Sequence, residues 1–442
     1  MSGEAIIVQE DVVLEAAAPL ATEALIHDQR RLGLFLFGGL LMLLINLGDP
    51  AVGMINIPVS FFLKNRLHLA AHEQAMFRLW VGGPLFVSFA FGFLRDRWSP
   101  LGAGDRGHLM VFGALTAAIY AVVAFMPPLY GVLLAGMILA TASFQLVVSA
   151  ASGLLSTIGQ QGAMAGRMSV LFSIAAAAPA LISNFAGGAL SQFMEGQGAV
   201  AAARTLFLAA AGLMLSVALL GLMRPRALFA ATVIERPTNH FLDDIGRLAG
   251  HWPLYPVAMI QLLWQFGPAI GTVLQYHMTN TLHGTDFEWA AWNAVFLGSM
   301  APVYVAYGFL CQRFKLSWLL WAGFIMAVFQ VTPLFFVHTA IGAIIAAAPM
   351  GVIGGLAQAA LVDLAIRSCP NGLQGTMMML FGSSIYFVSV RFGDLLGTEI
   401  YDHWGGFYVA VWATIFIYAL ILPVILLVPK HLIATRDGEA LI

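Results

Sequence analysis

Apolar residues follow one another along this chain in runs of about twenty or more, and short polar segments separate the runs. A run of that length is typical of a helix that crosses the hydrocarbon core of a bilayer. The pattern predicts twelve spans, and the longest of them imply tilt or extension past the bilayer. They cover residues 33–63, 74–94, 108–126, 129–155, 165–194, 202–223, 253–278, 287–311, 316–336, 339–365, 372–400 and 406–429.

Span 1 carries polar residues in its middle, at steps of three and four, so that they share one face of a helix. These residues are Asn46, Asp49, Gly53, Asn56 and Ser60. Lipid does not accept such a stripe, and we expect it to face protein or a water-filled cavity. Pro50 and Pro58 should kink or loosen the helix and free backbone carbonyls beside Asp49.

Three short segments of the first half return in order in the second half. Pro50–Gly53 matches Pro268–Gly271, Asn65–His68 matches Asn280–His283, and Gly92–Arg97 matches Gly308–Arg313, with offsets of 218, 215 and 216 residues. The chain is therefore interpreted as two copies of one unit in parallel orientation, which is a transporter architecture.

The second copy has its own polar stripe in span 7, which differs from the first in carrying no charge. It consists of Gln261, Gln265, Pro268, Thr272 and Gln275. Gly267 occupies the position that corresponds to Asp49. A charge that symmetry does not repeat favours a special role for Asp49 in substrate binding or proton coupling. The alternative is that Asp49 only caps backbone groups that Pro50 frees.

The composition supports an integral membrane protein. Of the 442 residues, 60% are hydrophobic and 10% are charged, and the mean hydropathy is +0.87. The net charge of −2 provides no basic face for nucleic acid. The two cysteines, Cys311 and Cys369, form no disulfide framework and no metal-ligand cluster. We therefore expect no metal and no cofactor.

Basic residues predict the orientation, because Lys and Arg concentrate in cytoplasmic loops. With both termini in the cytoplasm, fifteen of the 20 basic residues fall on that side. The predicted units are a cytoplasmic tail at 1–31, a six-helix half at 32–223, a cytoplasmic linker at 224–252, a second half at 253–430 and a tail at 431–442. The linker either tethers the halves or forms an amphipathic helix. A bacterial inner membrane and a monomer are expected.

This organisation resembles the major facilitator superfamily, and the loop after span 2 strengthens the resemblance. Gly92-Phe-Leu-Arg-Asp96-Arg97 is similar to the G-x-x-x-D-R loop motif of that family, and the segment ending at Arg313 is its weaker copy. The resemblance implies an all-α fold and a cytoplasmic gate. In that gate the carboxylate of Asp96 meets the start of span 11 while the carrier is open to the outside. The alternative is that Asp96 and Arg97 are solvated loop charges.

A narrower resemblance covers roughly residues 45–110. Ile57–Lys64, followed by Asp96–Gly102 and Arg106, is similar to the folate–biopterin, muropeptide-permease and acetyl-CoA transporter branches. It implies a substrate larger than a sugar and anionic. It does not choose among a pterin, a cell-wall fragment, a siderophore and a nucleotide.

Three further charged residues lie at or within the spans. Arg78 opens span 2 on the outer side, where it either attracts an anion or extends to the interface. Arg391 and Asp394 in span 11 are three residues apart, so they can pair with each other. Ions inside a membrane are costly and by default functional, although a structural pair is the alternative.

Two classes of function compete. The first is a secondary active carrier that works by alternating access and is coupled to protons. The second is a non-transporting protein of the same fold that assembles or senses a membrane complex. Asp49 and the loop motif favour the first class. A nucleotide-driven pump is disfavoured because the chain has no G-x-x-x-x-G-K-[ST] loop. No catalytic cluster predicts an enzyme.

Overall fold

A computed structural model of the protein describes residues 33–51, 53–69, 71–195, 197–223 and 246–439. The predicted N-terminal tail and most of the predicted linker lie outside the described residues. The domain boundaries proposed from the sequence therefore stay predictions.

Within the described ranges, nine helices are long and apolar enough to cross a membrane. They correspond to spans 3–6 and 8–12 of the sequence pattern. Their helical segments are Asp105–Phe125, Tyr130–Gln161, Ala165–Glu195, Ala199–Leu222, Asp286–Arg313, Leu316–Val328 with Thr332–Phe336, Ala340–Ser368, Gln374–Met379 with Leu380–Ile385 and Tyr386–His403, and Phe407–Ala419 with Ile421–Ile425. A short helix, Lys430–Ile433, follows span 12.

The three remaining spans are each divided into shorter helices. Span 1 consists of Gly33–Leu47 and Asn56–Asn65. Span 2 consists of Ala71–Val81, Gly83–Phe86 and Ser88–Arg97, and it therefore extends beyond the predicted 74–94 at both ends. Span 7 consists of Leu254–Gln265, Thr272–Tyr276 and the π-helical turn His277–Thr281.

The break in span 1 corrects the prediction of one continuous polar helical face. The chain leaves the helix after Leu47, and the amide of Met54 donates to the carbonyl of Leu47 across the break. A Cβ on Gly53 would lie 2.5 Å from the carbonyl oxygen of Asp49, so glycine is required there. Pro50 lies in the break, whereas Pro58 lies in the first turn of the following helix, where proline is tolerated.

The repeat seen in the sequence is also visible in the backbone. Both copies of the Pro-Ala-x-Gly segment fall in a broken span, one between residues 47 and 56 and the other between 265 and 272. Both copies of the Asn-x-Leu-His segment end on a histidine with positive φ, 54° at His68 and 51° at His283. The fold is therefore all-α, with twelve spans in two parallel six-helix halves.

Small residues allow the helices within each half to pack closely. Spans 3 and 6 meet where Gly113 lies against the backbone of Ala218, and spans 8 and 10 meet where Gly351 lies against the carbonyl of Phe296. Six spans form the main contacts between the halves. Span 5 of the first half packs on spans 8 and 10, and span 11 of the second half packs on spans 2 and 4.

Candidate functional site

The carboxylate of Asp96 lies against the first turn of span 11. It accepts hydrogen bonds from the amide of Gly375 at 3.1 Å, from the amide of Thr376 at 2.7 Å and from the hydroxyl of Thr376 at 2.6 Å. The first amides of a helix lack partners within the helix and carry the positive end of its dipole. A carboxylate is therefore well matched to this position, and it joins the two halves.

Arg95 holds Asp96 in place, although the sequence did not single it out. Its guanidinium donates to Asp96 at 2.6 Å and to both carboxylate oxygens of Asp105, each at 2.5 Å. The side chains of Arg95 and Asp96 are 2% and 0% exposed. Burying these charges is favourable only because they neutralise and hydrogen-bond one another.

Glycines bring span 2 and span 11 close enough for these bonds. A Cβ on Gly92 would lie 2.5 Å from the carbonyl oxygen of Gly375, and a Cβ on Gly375 would lie 2.7 Å from the Asp96 carboxylate. Neither position accepts a larger residue without a shift of backbone or of the charged group. The first glycine of the loop motif thus has a steric role at the contact between the halves.

Other hydrogen bonds between the halves lie at the same end of the bundle, where spans 2, 4, 8 and 10 end and spans 5 and 11 begin. We call this the latch end. Gln160 of span 4 donates to the carbonyls of Ile366 and Cys369 at 2.8 and 2.7 Å. Ser169 of span 5 donates to the carbonyl of Ala359 in span 10. The halves are therefore closed against each other at the latch end.

Arg78 and Arg391 lie on the side of this interface away from the latch. Arg391 is about 24 Å along span 11 from Gly375, and Arg78 is about 27 Å along span 2 from Asp96, at 1.5 Å per residue. The two arginines come from opposite halves, and the ring of Phe387, one turn before Arg391, packs against Gly82, one turn after Arg78. Below them, the ring of Phe387 meets Phe86 across the interface with centroids 4.7 Å apart.

The predicted pairing of Arg391 with Asp394 is wrong. Asp394 accepts hydrogen bonds from the amide and the hydroxyl of Thr272, at 3.0 and 2.7 Å, at the start of the second helix of span 7. The guanidinium of Arg391 instead lies 5.0 Å from the ring centroid of Phe387. The break in span 7 explains the difference, because it offers Asp394 two unpaired donors that a continuous helix would not present.

The half-buried Asp49 lies in the break of span 1 and accepts a hydrogen bond from the amide of Ala51 at 2.7 Å. This bond is of the kind that the alternative role of Asp49, capping of nearby backbone groups, requires. Asn46 donates to the carbonyl of Met42 in its own helix at 2.8 Å. Asn56 is half-buried at the start of the next helix, where its carbonyl accepts from Ser60. The structure therefore does not gather these three side chains on one face.

The glutamines of span 7 contact other spans of their own half. Gln261 is buried and donates to the carbonyl of Phe381 in span 11 at 3.1 Å. Gln265 donates to Gln358 of span 10 at 3.3 Å, and Trp264 donates to the same oxygen at 2.7 Å. Gln358 joins this network without having been predicted. These contacts fasten spans 7, 10 and 11 to one another.

Two predicted gate residues lie apart from the Asp96 contact. Arg97 places its guanidinium 5.3 Å from the ring centroid of Phe93 in its own helix. Arg313 is exposed at the end of span 8. The structure brings together Gly92 and Asp96 with span 11, and it does not bring Arg97 or Arg313 to that contact.

Two cavities lie outside the predicted substrate site. One, of about 440 Å³, has an almost wholly apolar lining from spans 1, 5 and 8 that includes Phe35 and Leu171. The other, of about 330 Å³, lies at the latch end beside Gln160, His251 and His431. None of the residues predicted to bind substrate lines either cavity.

Comparison with known proteins identifies the fold. No protein-family model matches the sequence, and no curated protein matches it either. Among solved structures, the chain is similar to a major facilitator superfamily transporter, FucP, in the outward conformation. The TM-score is 0.67 and the identity 16%, over 89% of this chain and 98% of that one.

Two more solved structures give the same result. The proton:xylose symporter XylE, bound to 6-bromo-6-deoxy-D-glucose, has a TM-score of 0.67 and 13% identity, over 92% of this chain and 97% of that one. A bacterial homologue of the iron transporter ferroportin in the outward-facing state has a TM-score of 0.62 and 16% identity, over 89% and 98%. This chain therefore has the major facilitator fold.

Proposed function

We propose that this protein is a secondary active transporter that carries a small organic anion by alternating access. The fold supports the general class, because the solved structures named above are those of two transporters or their homologues and of one symporter. We propose an anionic substrate because of one pair of arginines, Arg78 and Arg391. Within the part of the chain that the structure describes, neither guanidinium has a carboxylate partner.

The arginine pair also links binding to movement. Two positive charges on opposite halves repel each other and oppose closure of the halves at that depth. An anion between them removes the repulsion and offers acceptors to both guanidiniums. Substrate would therefore favour closure above itself, which is the step that alternating access requires. The closed latch end and the outward conformation of two neighbours support an outward-open state here.

The test is an uptake assay in proteoliposomes with pterins, muropeptides, nucleotides and siderophores. Each class is measured with and without a pH gradient. We expect anionic members to be taken up, and Arg78→Gln or Arg391→Gln to lower uptake about 10–100-fold, the range for losing a hydrogen bond to a charged group. Arg204→Gln is the matched control, because Arg204 lies over the ring of Phe125 and away from the pair. Full uptake of an anion by both variants would refute the assignment.

We further propose that transport is coupled to protons through Asp49. Its depth in span 1 and its absence from the second copy support this role, whereas its hydrogen bond with Ala51 supports simple capping. Asp49→Asn separates the two roles, because asparagine retains the acceptor oxygen and loses titration. We expect the variant to lose accumulation driven by a pH gradient and to keep substrate exchange. Gradient-driven accumulation by Asp49→Asn at normal expression would exclude Asp49 as the proton site.

A further inference from the structure

The second half of the repeat lacks a carboxylate where the first half has Asp96. At an offset of 216 residues, the position of Asp96 is occupied by Gln312 and that of Arg95 by Cys311. The amide of Gln312 donates to the carbonyl of Gly308 in its own helix at 2.6 Å. Loop 8–9 therefore supplies no anion to the opposite half, and the latch of the first half has no counterpart in this loop.

The receiving end of the latch is nevertheless repeated. Gly375 and Met377 at the start of span 11 correspond to Gly166 and Met168 at the start of span 5, with an offset of 209 residues. Three residues before each glycine the backbone is left-handed, with φ of 83° at Gly372 and 48° at Ala163. The start of span 5 thus presents its amides as the start of span 11 does.

The C-terminal tail supplies a carboxylate to the start of span 5. The side chain of Asp437 is 0% exposed. Its carboxylate accepts from the amide of Gly166 at 2.8 Å and from the guanidinium of Arg167 at 2.7 Å. The next amide, of Gly438, donates to the carbonyl of Ala163. A buried carboxylate at a helix start, held by a neighbouring arginine, repeats the arrangement around Asp96.

The backbone of the C-terminal tail is hydrogen-bonded to the second half. The amide of Asp437 donates to the carbonyl of Cys311 at 3.0 Å, and the carbonyl of Thr435 accepts from the amide of Leu316 at 3.3 Å. Arg367, paired with Asp363 at 2.7 Å, donates to the carbonyl and the hydroxyl of Thr435. The backbone of the tail is thus anchored to one half, and the Asp437 side chain reaches the other.

From this geometry we propose that Asp437 is a second latch, reciprocal to Asp96, with which the C-terminal tail holds the latch end closed. Asp96 extends from the first half to the start of span 11, and Asp437 extends from the second half to the start of span 5. Opening of the latch end separates both carboxylates from their helices. The tail is thereby part of the gate, and its removal favours the state that is open at this end.

The inference rests on the proposed alternating access, and the chain's own cysteines provide a test that needs no substrate. Both thiols are buried at the latch end, Cys311 against Gly166 and Cys369 beside Ser156. Two reporter proteins, Cys311→Ala and Cys369→Ala, each retain a single thiol. The rate of maleimide labelling of each thiol then measures opening, and thermal unfolding of each variant shows that it is folded.

In both reporters, we expect Asp437→Asn to raise the labelling rate about tenfold, in the range for a lost hydrogen bond to a charged group. A chain that ends at Thr435 should give the same increase, because it keeps the anchor to Arg367 and loses Asp437. Glu439→Gln is the matched control, with the same change of charge. It removes an exposed ion pair to Arg436 and should change labelling less than twofold.

Asp96→Asn, measured in the same reporters, separates failure of this inference from failure of the proposed function. If Asp96→Asn raises labelling of Cys369 and Asp437→Asn does not, the tail is not a latch and alternating access stands. An increase at Cys311 alone would show that the tail only covers that thiol, and would also overturn the proposal. If neither variant raises labelling of either cysteine, the result contradicts both the proposed gate at the latch end and the role of the tail in it.

Discussion

Charged residues are arranged in opposite ways on the two sides of the interface between the halves. At the latch end, Arg95 donates hydrogen bonds to both Asp96 and Asp105, and Asp96 also accepts hydrogen bonds from the start of span 11. Beyond the ring of Phe387, Arg78 and Arg391 lie on opposite halves, and among the described residues neither has a carboxylate partner. The first arrangement stabilises a closed interface, whereas the second, under the function proposed above, keeps positive charge available for an anion.

The difference in charge between the two sides of the interface has a physical cause. A buried charge is tolerated only when it has an opposite charge or hydrogen-bond donors beside it, so each charge in a closed gate needs such partners. A binding site for an anion has to carry uncompensated positive charge before the anion arrives. Changing a latch residue should therefore affect stability and conformation, while changing an arginine of the pair should affect uptake.

The largest effect is expected from Arg95→Leu. The variant leaves Asp96 and Asp105 buried without their counter-charge, and breaking a buried pair costs about 3–5 kcal/mol. We expect a large fall in the thermal unfolding temperature measured in detergent. Arg97→Leu is the neighbouring control and should have a much smaller effect, because Arg95 binds the two carboxylates, whereas Arg97 lies over the ring of Phe93. Equal losses for the two variants would mean that the network around Arg95 has no special stabilising role.

Gly92→Ala should force spans 2 and 11 apart. Its Cβ would lie 2.5 Å from the carbonyl of Gly375, and relief of that contact requires backbone movement. We expect faster labelling of Cys369, together with lower thermal stability. Gly83→Ala is the control on the same span, since a Cβ there meets nothing within 4 Å. Labelling that is equally slow in both variants would show that the close approach of the two spans does not keep the gate shut.

Asp96→Asn should have a moderate effect, because asparagine keeps the shape of the side chain and loses the charge. We expect the population to shift toward the state open at the latch end, with lower uptake and normal membrane insertion. Burial raises the pKa of the Cys369 thiol to about 12, so this thiol reacts slowly at neutral pH while the latch is closed. Its labelling should rise about tenfold on the loss of a charged hydrogen bond. Unchanged labelling and uptake would show that the contact of Asp96 with span 11 does not hold the latch end closed.

The smallest effect is expected from Arg313→Gln. This residue is exposed at the end of span 8, and the described part of the chain shows no partner for it. We expect uptake and labelling to change less than twofold, as is usual for an isolated surface charge. A large loss of uptake would show that the second copy of the loop motif contributes to the gate after all, and would weaken the assignment of that role to Asp437.

The sequence by itself determined the elements. Long apolar runs predicted the spans, because a helix is the structure in which a single segment satisfies all its backbone hydrogen bonds in lipid. Pro50 indicated where span 1 departs from a regular helix, and the repetition of three short segments predicted two related halves. The loop motif predicted that Asp96 belongs at the gate. These conclusions depend on local patterns that each segment carries without its neighbours.

Only the tertiary structure decided which charges meet. Asp96 contacts Gly375 across 279 residues, and Gly166 contacts Asp437 across 271, so no periodicity within a segment predicts either bond. Helical spacing favoured a pair between Arg391 and Asp394, yet a broken span 7 offered Asp394 better donors. Buried charges in a membrane protein pair with whatever the packed helices bring within reach, because a buried charge without a partner is costly.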